Sequence, residues 1–173
     1  MNLDQLIKEI WVTNIKKDYE EKYLYKEDSL KNALYYHLRS KMDLSEEIRI
    51  YPEFRLSCGR RVDIAIVKVD FEKARSHHLS ESIHSIEALI EIKYIKAGLS
   101  DEAFYKDLNK LADYYISYPG AKLYAAFIHE EHYSKEDLRW LDYTSLSEEV
   151  KSNISEISGY LDSENSEFIV KVD

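Results

Sequence analysis

The sequence has almost no cysteine, no long apolar run and none of the common nucleotide-binding motifs. Its one cysteine, Cys58, excludes an intramolecular disulfide and a zinc site built from several thiols. No apolar run approaches the roughly 20 residues of a membrane helix, and residues 1–5 lack the basic start and apolar core of a signal peptide. The chain has no internal repeat and no P-loop, GxGxxG or CxxC motif. From these absences we expect a cytoplasmic protein that does not enter a membrane.

The length and the composition are those of one globular domain with a sizeable core. The chain has 173 residues, of which 45% are hydrophobic and 33% are charged. Its net charge of −9 disfavours a nucleic-acid partner, but residues 130–173 account for most of it, with 12 acidic and 4 basic side chains. The segment from Ile48 to Val62 carries four arginines and one glutamate. Because local charge governs phosphate contact more than net charge does, this segment keeps nucleic-acid binding open.

Hydrophobic periodicity and turn residues predict alternating helices and strands. In the first 130 residues we predict helices over residues 3–20, Glu27–Met42 and Asp101–Ser117, and strands over Ile48–Leu56, Arg61–Val69, Ala88–Ile95 and Lys122–His129. Pro52 indicates an edge position for the first strand. Beyond them we predict helices at Lys135–Leu141 and around Leu146–Ile157 and a terminal edge strand, Phe168–Val172. The pattern is typical of an α/β domain.

Three ionisable side chains interrupt two of the predicted apolar strands. Asp63 lies in the second strand, and Glu91 and Lys93 lie in the third, 28 and 30 positions further along the chain. Because strand side chains alternate, Glu91 and Lys93 project from the same face. A charge in a buried strand is costly unless it is paired or binds a metal. Two acids and a lysine on one sheet face are what a metal-dependent phosphodiester hydrolase requires.

This arrangement resembles the D…(D/E)xK signature of the PD-(D/E)XK nuclease superfamily. Asp63 and Glu91-Ile92-Lys93 match the signature, although Val62 stands where the name-giving motif has proline. The predicted order of one helix, three strands, a helix and a strand is similar to the core of that family. The resemblance implies a restriction-endonuclease-like fold, with a mixed central sheet of about four to five strands flanked by helices. Within a single domain 1–173, it covers roughly residues 25–130 and leaves an N-terminal helix in 1–24 and an acidic C-terminal extension in 131–173.

The resemblance also implies a metal ion and a set of residues that bind it. Asp63, Glu91 and the backbone carbonyl of Ile92 would hold Mg²⁺, or Mn²⁺ as a substitute, with water and phosphate oxygens in the other positions. Lys93 would orient or help deprotonate a metal-bound water and offset charge at the phosphorus. The helix before the first strand commonly adds an acid, and Glu27 is the best candidate here. The alternative for Glu27 is an acid that serves only the positive helix start.

Further candidates lie on the hairpin and on the helix that follows the third strand. Family members often carry an acid on the first strand, here Glu53, but a two-residue turn at Cys58-Gly59 would pair Phe54 with Asp63 and point Glu53 to the other face. A bulge would reverse this, and the alternative role is a salt bridge with a hairpin arginine. The basic candidates for phosphate contact, or for ordinary surface positions, are Arg60, Arg61, Lys106 and Lys110.

The sequence therefore predicts a Mg²⁺-dependent endonuclease that hydrolyses phosphodiester bonds, with DNA as the expected substrate. Two alternatives stay open: an RNA-directed nuclease, and an inactive protein of the same fold that binds a basic protein partner through its acidic C-terminal third. A homodimer is a further possibility, because duplex DNA has two-fold symmetry.

Overall fold

The computed structural model describes residues 2–42, 47–134 and 138–173, and six strands in these ranges form one mixed sheet. The protein is thus an α/β protein whose sheet has six strands, rather than the four to five expected. No helix within the described ranges is long and apolar enough to cross a membrane. The strands are β1 (Ile48–Arg55), β2 (Arg61–Val69), β3 (Ile83–Ile95), β4 (Lys122–Tyr133), β5 (Ile154–Asp162) and β6 (Phe168–Val172).

The strands lie side by side in the order in which they occur along the chain. The β1–β2, β2–β3 and β5–β6 pairs are antiparallel, and the β3–β4 and β4–β5 pairs are parallel. A parallel neighbour requires a crossover connection, whereas an antiparallel neighbour can follow a short turn. β1 and β6 are the edge strands, as Pro52 and the terminal position of Phe168–Val172 predicted.

Helices cover both faces of this sheet. They are α1 (Leu3–Ile10), α2 (Lys16–Glu20), α3 (Glu27–Lys41), α4 (Phe71–Ala74), α5 (Glu102–Ser117) and α6 (Glu148–Lys151). The helix predicted over residues 3–20 is continuous through a π-helical turn, Trp11–Ile15, that joins α1 to α2. The indole N–H of Trp11 donates to the backbone carbonyl of Ser158 on β5 at 3.0 Å. This bond ties the N-terminal helical segment to the far half of the sheet.

Strand alternation divides the apolar core into two layers. Ile64, Ile66 and Ile90 pack with α1 and α3 on one face, and Val67 and Leu89 pack with α5 on the other. The central strands are buried on both faces, which explains why they read as continuous apolar runs. Charged side chains within those runs are therefore placed against the helices.

The predicted succession of helix, three strands, helix and strand is confirmed. It corresponds to α3, β1, β2, β3, α5 and β4, with the short helix α4 between β2 and β3. The C-terminal third differs from the prediction. The helix expected around Leu146–Ile157 is wrong beyond Lys151, because β5 begins at Ile154 and pairs with β4. The helix expected at Lys135–Leu141 falls partly outside the described residues, and a 3₁₀ turn occupies Trp140–Tyr143. Residues after 131 thus supply two of the six strands.

The β1–β2 turn also differs from the prediction. Leu56 N–H donates to the carbonyl of Arg60 at 2.8 Å, and Gly59 has a φ of +85°. The loop therefore has three residues, a length that commonly ends on a left-handed glycine. The resulting register pairs Pro52 with Ile64 and Phe54 with Val62. Glu53 therefore lies opposite Asp63 and faces the same side of the sheet. The expected orientation of Glu53 was wrong, because a shift of one residue in strand pairing turns every side chain of the strand to the other face.

Candidate functional site

Asp63 and Glu91 come together where β2 begins and β3 nears its end. The last pair of the β2–β3 ladder joins Ile64 to Ile90, so the next residues outward on the two strands are Asp63 and Glu91. Asp63 Oδ2 accepts a hydrogen bond from the backbone N–H of Ile92 at 2.8 Å. The carboxylate thereby satisfies an amide that the ladder leaves free, which fixes its position. Two acids 28 positions apart in the chain are thus neighbours in the sheet, as predicted.

Glu91 is a buried acid with one lysine in contact with it. Its side chain is 2% exposed. Tyr114 O–H donates to Oε1 at 2.9 Å, and Lys110 Nζ donates to Oε2 at 3.3 Å. Burial nevertheless dominates and raises the pKa of Glu91 to about 8, and the charges of Asp63 and Asp107 act in the same direction. A further cation that binds to Glu91 would therefore stabilise its ionised form.

Lys93 is held between acids from two helices. Its Nζ donates to Glu27 Oε2 at 2.8 Å and lies 3.4 Å from Asp107 Oδ2. Burial opposes the charge on this amine, but the two carboxylates outweigh burial and raise the pKa of Lys93. Lys93 is therefore an ammonium ion at neutral pH. It can stabilise negative charge and orient an anion or a water, but it is not a base.

Local structure explains why Glu27 reaches Lys93. Ser29 Oγ accepts hydrogen bonds from the N–H groups of Tyr25 at 2.8 Å and Lys26 at 2.9 Å. These bonds start α3 at Glu27, where an acid is also favoured by the helix dipole. The first turn of α3 then lies beside β3. The predicted candidate Glu27 is thus brought into the site.

Lys31, one turn further along α3, connects the other two acids. Its Nζ contacts Glu53 and lies 3.4 Å from Asp63 Oδ1. Burial opposes the charge, and the two acids together raise the pKa of Lys31. Glu53 also accepts from Arg61 at 3.5 Å, which confirms the predicted alternative of a salt bridge with a hairpin arginine. Glu53 belongs to the site because of the register described above.

These contacts form two adjacent groups, one around Lys31 and one around Lys93 and Lys110, which together we call the lysine–carboxylate cluster. It contains five acids and three lysines: Glu27, Lys31, Glu53, Asp63, Glu91, Lys93, Asp107 and Lys110. Buried ion pairs contribute little to stability because desolvation offsets their attraction. When all five acids are ionised, they outnumber the three lysines and Arg61, which also pairs with Glu53, by one charge.

The donor atoms of the cluster suit Mg²⁺, which binds carboxylates, carbonyls and water and commonly uses only one or two protein carboxylates. Asp63 and Glu91 can supply two. Asp107 is a third acid close to them, and its carboxylate pairs with Lys93 and Lys110. In that same part, no group of three or more His, Cys, Asp or Glu side chains is arranged to hold a metal. The residues therefore fit an ion held by two carboxylates, with its other ligands from outside these side chains.

The four basic candidates for phosphate contact occupy different environments. Arg60 and Arg61 are exposed on the hairpin, and Arg60 pairs with Asp113 at 2.6 Å. Lys106 is exposed on α5. Lys110 lies inside the cluster, 2.6 Å from Asp107 and 3.3 Å from Glu91. Three of the four are thus on the surface near the site, and one is engaged by its acids.

The sequence interpretation missed Asp107, Lys31 and Tyr114. Asp107 and Tyr114 lie on the buried stripe of α5 with Phe104 and Leu111. A charged residue at an apolar position of an amphipathic helix is a signal that could have revealed Asp107. Lys31 could have been found because it follows Glu27 by four residues and so lies on the same helix face.

Comparisons with known proteins add no identification to this geometry. No protein-family model matches the chain, and no curated protein or solved structure matches it significantly. The class that the fold defines is therefore a broad one, an α/β protein with a mixed sheet of six strands.

Proposed function

We propose that the protein is a Mg²⁺-dependent nuclease with a restriction-endonuclease-like fold and a PD-(D/E)XK site. The observation that carries the proposal is the position of Asp63 and Glu91 on adjacent strands, with Lys93 two residues further along the same face. The sheet order and the helix on each side support it. Buried acids that add little stability are expected where a site requires them.

Asp63 and Glu91 are the proposed ligands of Mg²⁺, together with the carbonyl of Ile92. When bound, the ion polarises the scissile phosphate and lowers the pKa of a coordinated water. The hydrogen bonds from Ile92 to Asp63 and from Tyr114 to Glu91 hold the two carboxylates in place before the ion arrives. Such preorganisation reduces the cost of forming the site.

Lys93 supplies positive charge to the reacting phosphate. Glu27 and Asp107 hold the ammonium group by two contacts, so its position is set independently of the substrate. It stabilises the negative charge that increases on the phosphate oxygens as the nucleophile attacks. The raised pKa of Lys93 keeps it charged, so we assign it no role as a base.

The exposed arginines of the β1–β2 hairpin support a nucleic-acid substrate. Arg55, Arg60 and Arg61 are all exposed, and guanidinium groups suit phosphate oxygens. Arg61 is linked to the cluster through Glu53. The hairpin therefore presents three guanidinium groups, of which Arg60 and Arg61 would have to exchange Asp113 and Glu53 for phosphate. We take DNA as the substrate, and RNA is an outcome of the test.

The test is cleavage of plasmid DNA, single-stranded DNA and RNA in the presence of Mg²⁺, Mn²⁺ or EDTA. We expect cleavage with either ion and none with EDTA. Asp63→Asn and Lys93→Met should each lower the rate by about 100-fold or more, since charge stabilisers at such sites contribute a factor of this size. Lys17→Met is the matched control, because Lys17 pairs with Glu21 on α2 outside the cluster and is largely exposed.

Thermal unfolding of each variant in EDTA shows whether it remains folded. If folded Lys93→Met cleaves as fast as the wild type, the assigned site is wrong. If the wild type cleaves none of the substrates, calorimetric titration with Mn²⁺ decides whether the site binds metal at all, and the absence of both results refutes the proposed function.

A further inference from the structure

Each of the two proposed metal-ligating acids has a lysine of its own. Lys110 Nζ lies 3.3 Å from Glu91 Oε2 and 2.6 Å from Asp107 Oδ1. Lys31 contacts Glu53 and lies 3.4 Å from Asp63 Oδ1. In both cases the lysine bridges a strand acid and a second acid. The same arrangement is thus built twice, from α5 on one side and from α3 on the other.

We propose that Lys110 and Lys31 are exchangeable cations of the candidate site, which occupy positions beside Glu91 and Asp63 until a divalent cation replaces them. This inference rests on the proposed function, because it assigns a role to residues around the proposed metal site. When the metal ion binds to the two acids, the two lysines are released from them in the same step. The two lysines are neither structural ion pairs nor ligands.

The exchange follows from charge and distance. An ion that coordinates a carboxylate oxygen approaches to about 2.1 Å, which places it close to an ammonium group already 3.3 Å from that oxygen. The repulsion between a divalent ion and an ammonium group at such a separation is large even at the effective dielectric of a protein surface. One of the two cations must leave. The lysine leaves more readily, because its stem is flexible and its second acid remains as a partner.

The two lysines are expected to move by different amounts. The Lys110 side chain is 40% exposed, whereas that of Lys31 is 12% exposed. Lys110 can therefore leave Glu91 for a more exposed position, where Asp107 stays as its one acidic partner. Lys31 is confined between α3 and the hairpin, so it shifts from Asp63 toward Glu53. The exchange should therefore change the exposure of Lys110 more than that of Lys31.

The first experiment compares Mn²⁺ affinity in the wild type, Lys110→Met and Lys17→Met by calorimetric titration at about pH 8.5, where Glu91 is mostly ionised. Removing a competing cation should tighten binding, so we expect the dissociation constant of Lys110→Met to fall by about tenfold or more. Lys17→Met removes the same charge from an exposed ion pair on α2 and should leave the constant within about twofold of the wild type. Lys31→Met should change affinity in the same direction as Lys110→Met.

The second experiment needs no variant. A short pulse of an amine-acetylating reagent is applied to the wild type with EDTA and with saturating Mn²⁺, and mass spectrometry measures acetylation at each lysine. We expect modification of Lys110 to rise several-fold when the ion is bound. Lys17, whose ion pair lies outside the cluster, should be modified equally in both conditions.

The outcomes separate this inference from the proposed function. If the wild type binds no Mn²⁺, the proposed function fails and the exchange fails with it. If the wild type binds Mn²⁺, but Lys110→Met binds it equally or more weakly and acetylation of Lys110 does not change, the exchange is overturned while the metal site stands. Tighter binding in Lys110→Met together with a rise in acetylation supports the exchange.

Discussion

Replacing Glu91 by glutamine should stabilise the metal-free protein, and the gain should increase with pH. Glutamine has the size of a protonated glutamate and keeps an acceptor for Tyr114 O–H, which lies 2.9 Å from Oε1. Lys110 keeps its other partner, Asp107. The substitution therefore removes a buried ionisable group and, apart from the Lys110 contact with Oε2, leaves the local network in place. This separates the cost of the charge from the cost of lost packing.

The magnitude follows from the pKa of Glu91, which burial raises from 4.5 to about 8 in the folded protein. Above pH 4.5 the unfolded chain releases this proton while the folded protein retains it, so the folded state binds more protons and its stability falls as pH rises. The slope is about 1.4 kcal/mol per pH unit, and the total loss is on the order of 5 kcal/mol between pH 4.5 and pH 8. Above the folded pKa the loss is complete and the curve is flat.

The assay is urea unfolding of the wild type and Glu91→Gln in EDTA at several values between pH 5 and pH 9. Lys110 and Tyr114, whose pKa values Glu91 raises further, titrate above this pH range, so the difference in free energy of unfolding reports mainly on Glu91. We expect this difference to grow in favour of the variant up to about pH 8 and then level off. Saturating Mg²⁺ should stabilise the wild type more than the variant, because the ion binds the folded carboxylate. A difference that is constant with pH refutes the reasoning.

Three further substitutions test other parts of the structure by urea unfolding. Gly159→Ala should destabilise the protein by about 1–3 kcal/mol, because a Cβ there overlaps the buried ring of Phe168; unchanged stability would contradict this packing. Tyr114→Phe should cost about 1–3 kcal/mol above pH 8 and less at pH 5, because it removes a hydrogen bond to ionised Glu91; equal losses at both values would contradict that bond. Cys58→Ser should change stability by less than about 0.5 kcal/mol, because Cys58 is exposed, and its thiol should react with a thiol reagent in the folded protein.

The sequence predicted the central part of the fold because strong signals coincided there. Apolar runs of strand length carried charges at fixed spacing, and helices with clear boundaries lay on each side. The succession α3 to β4 and the neighbouring positions of Asp63 and Glu91 are therefore as expected. The presence of Glu27 beside Lys93 also followed from helix position. Strand alternation and helix periodicity were sufficient to predict these positions.

The features that the sequence did not predict depend on pairing across space. Leu146, Val150 and Ile154 repeat every four residues, which favours a helix, but pairing with β4 makes β5 from Ile154 onward. The side of the sheet that Glu53 faces depended on whether the β1–β2 turn has two residues or three. The buried position of Asp107 had a local signal in the stripe of α5, but its contact with Lys93 depends on how α5 lies over β3.

The bond from Trp11 to Ser158 spans 147 residues of chain. During synthesis on the ribosome, Trp11 emerges long before β5, the strand that accepts its indole N–H. Contacts between such distant segments form late and slow the approach to the native state. We therefore expect nascent chains that stop before β5 to leave this indole exposed to water, and to be substrates for chaperones or proteases rather than active intermediates.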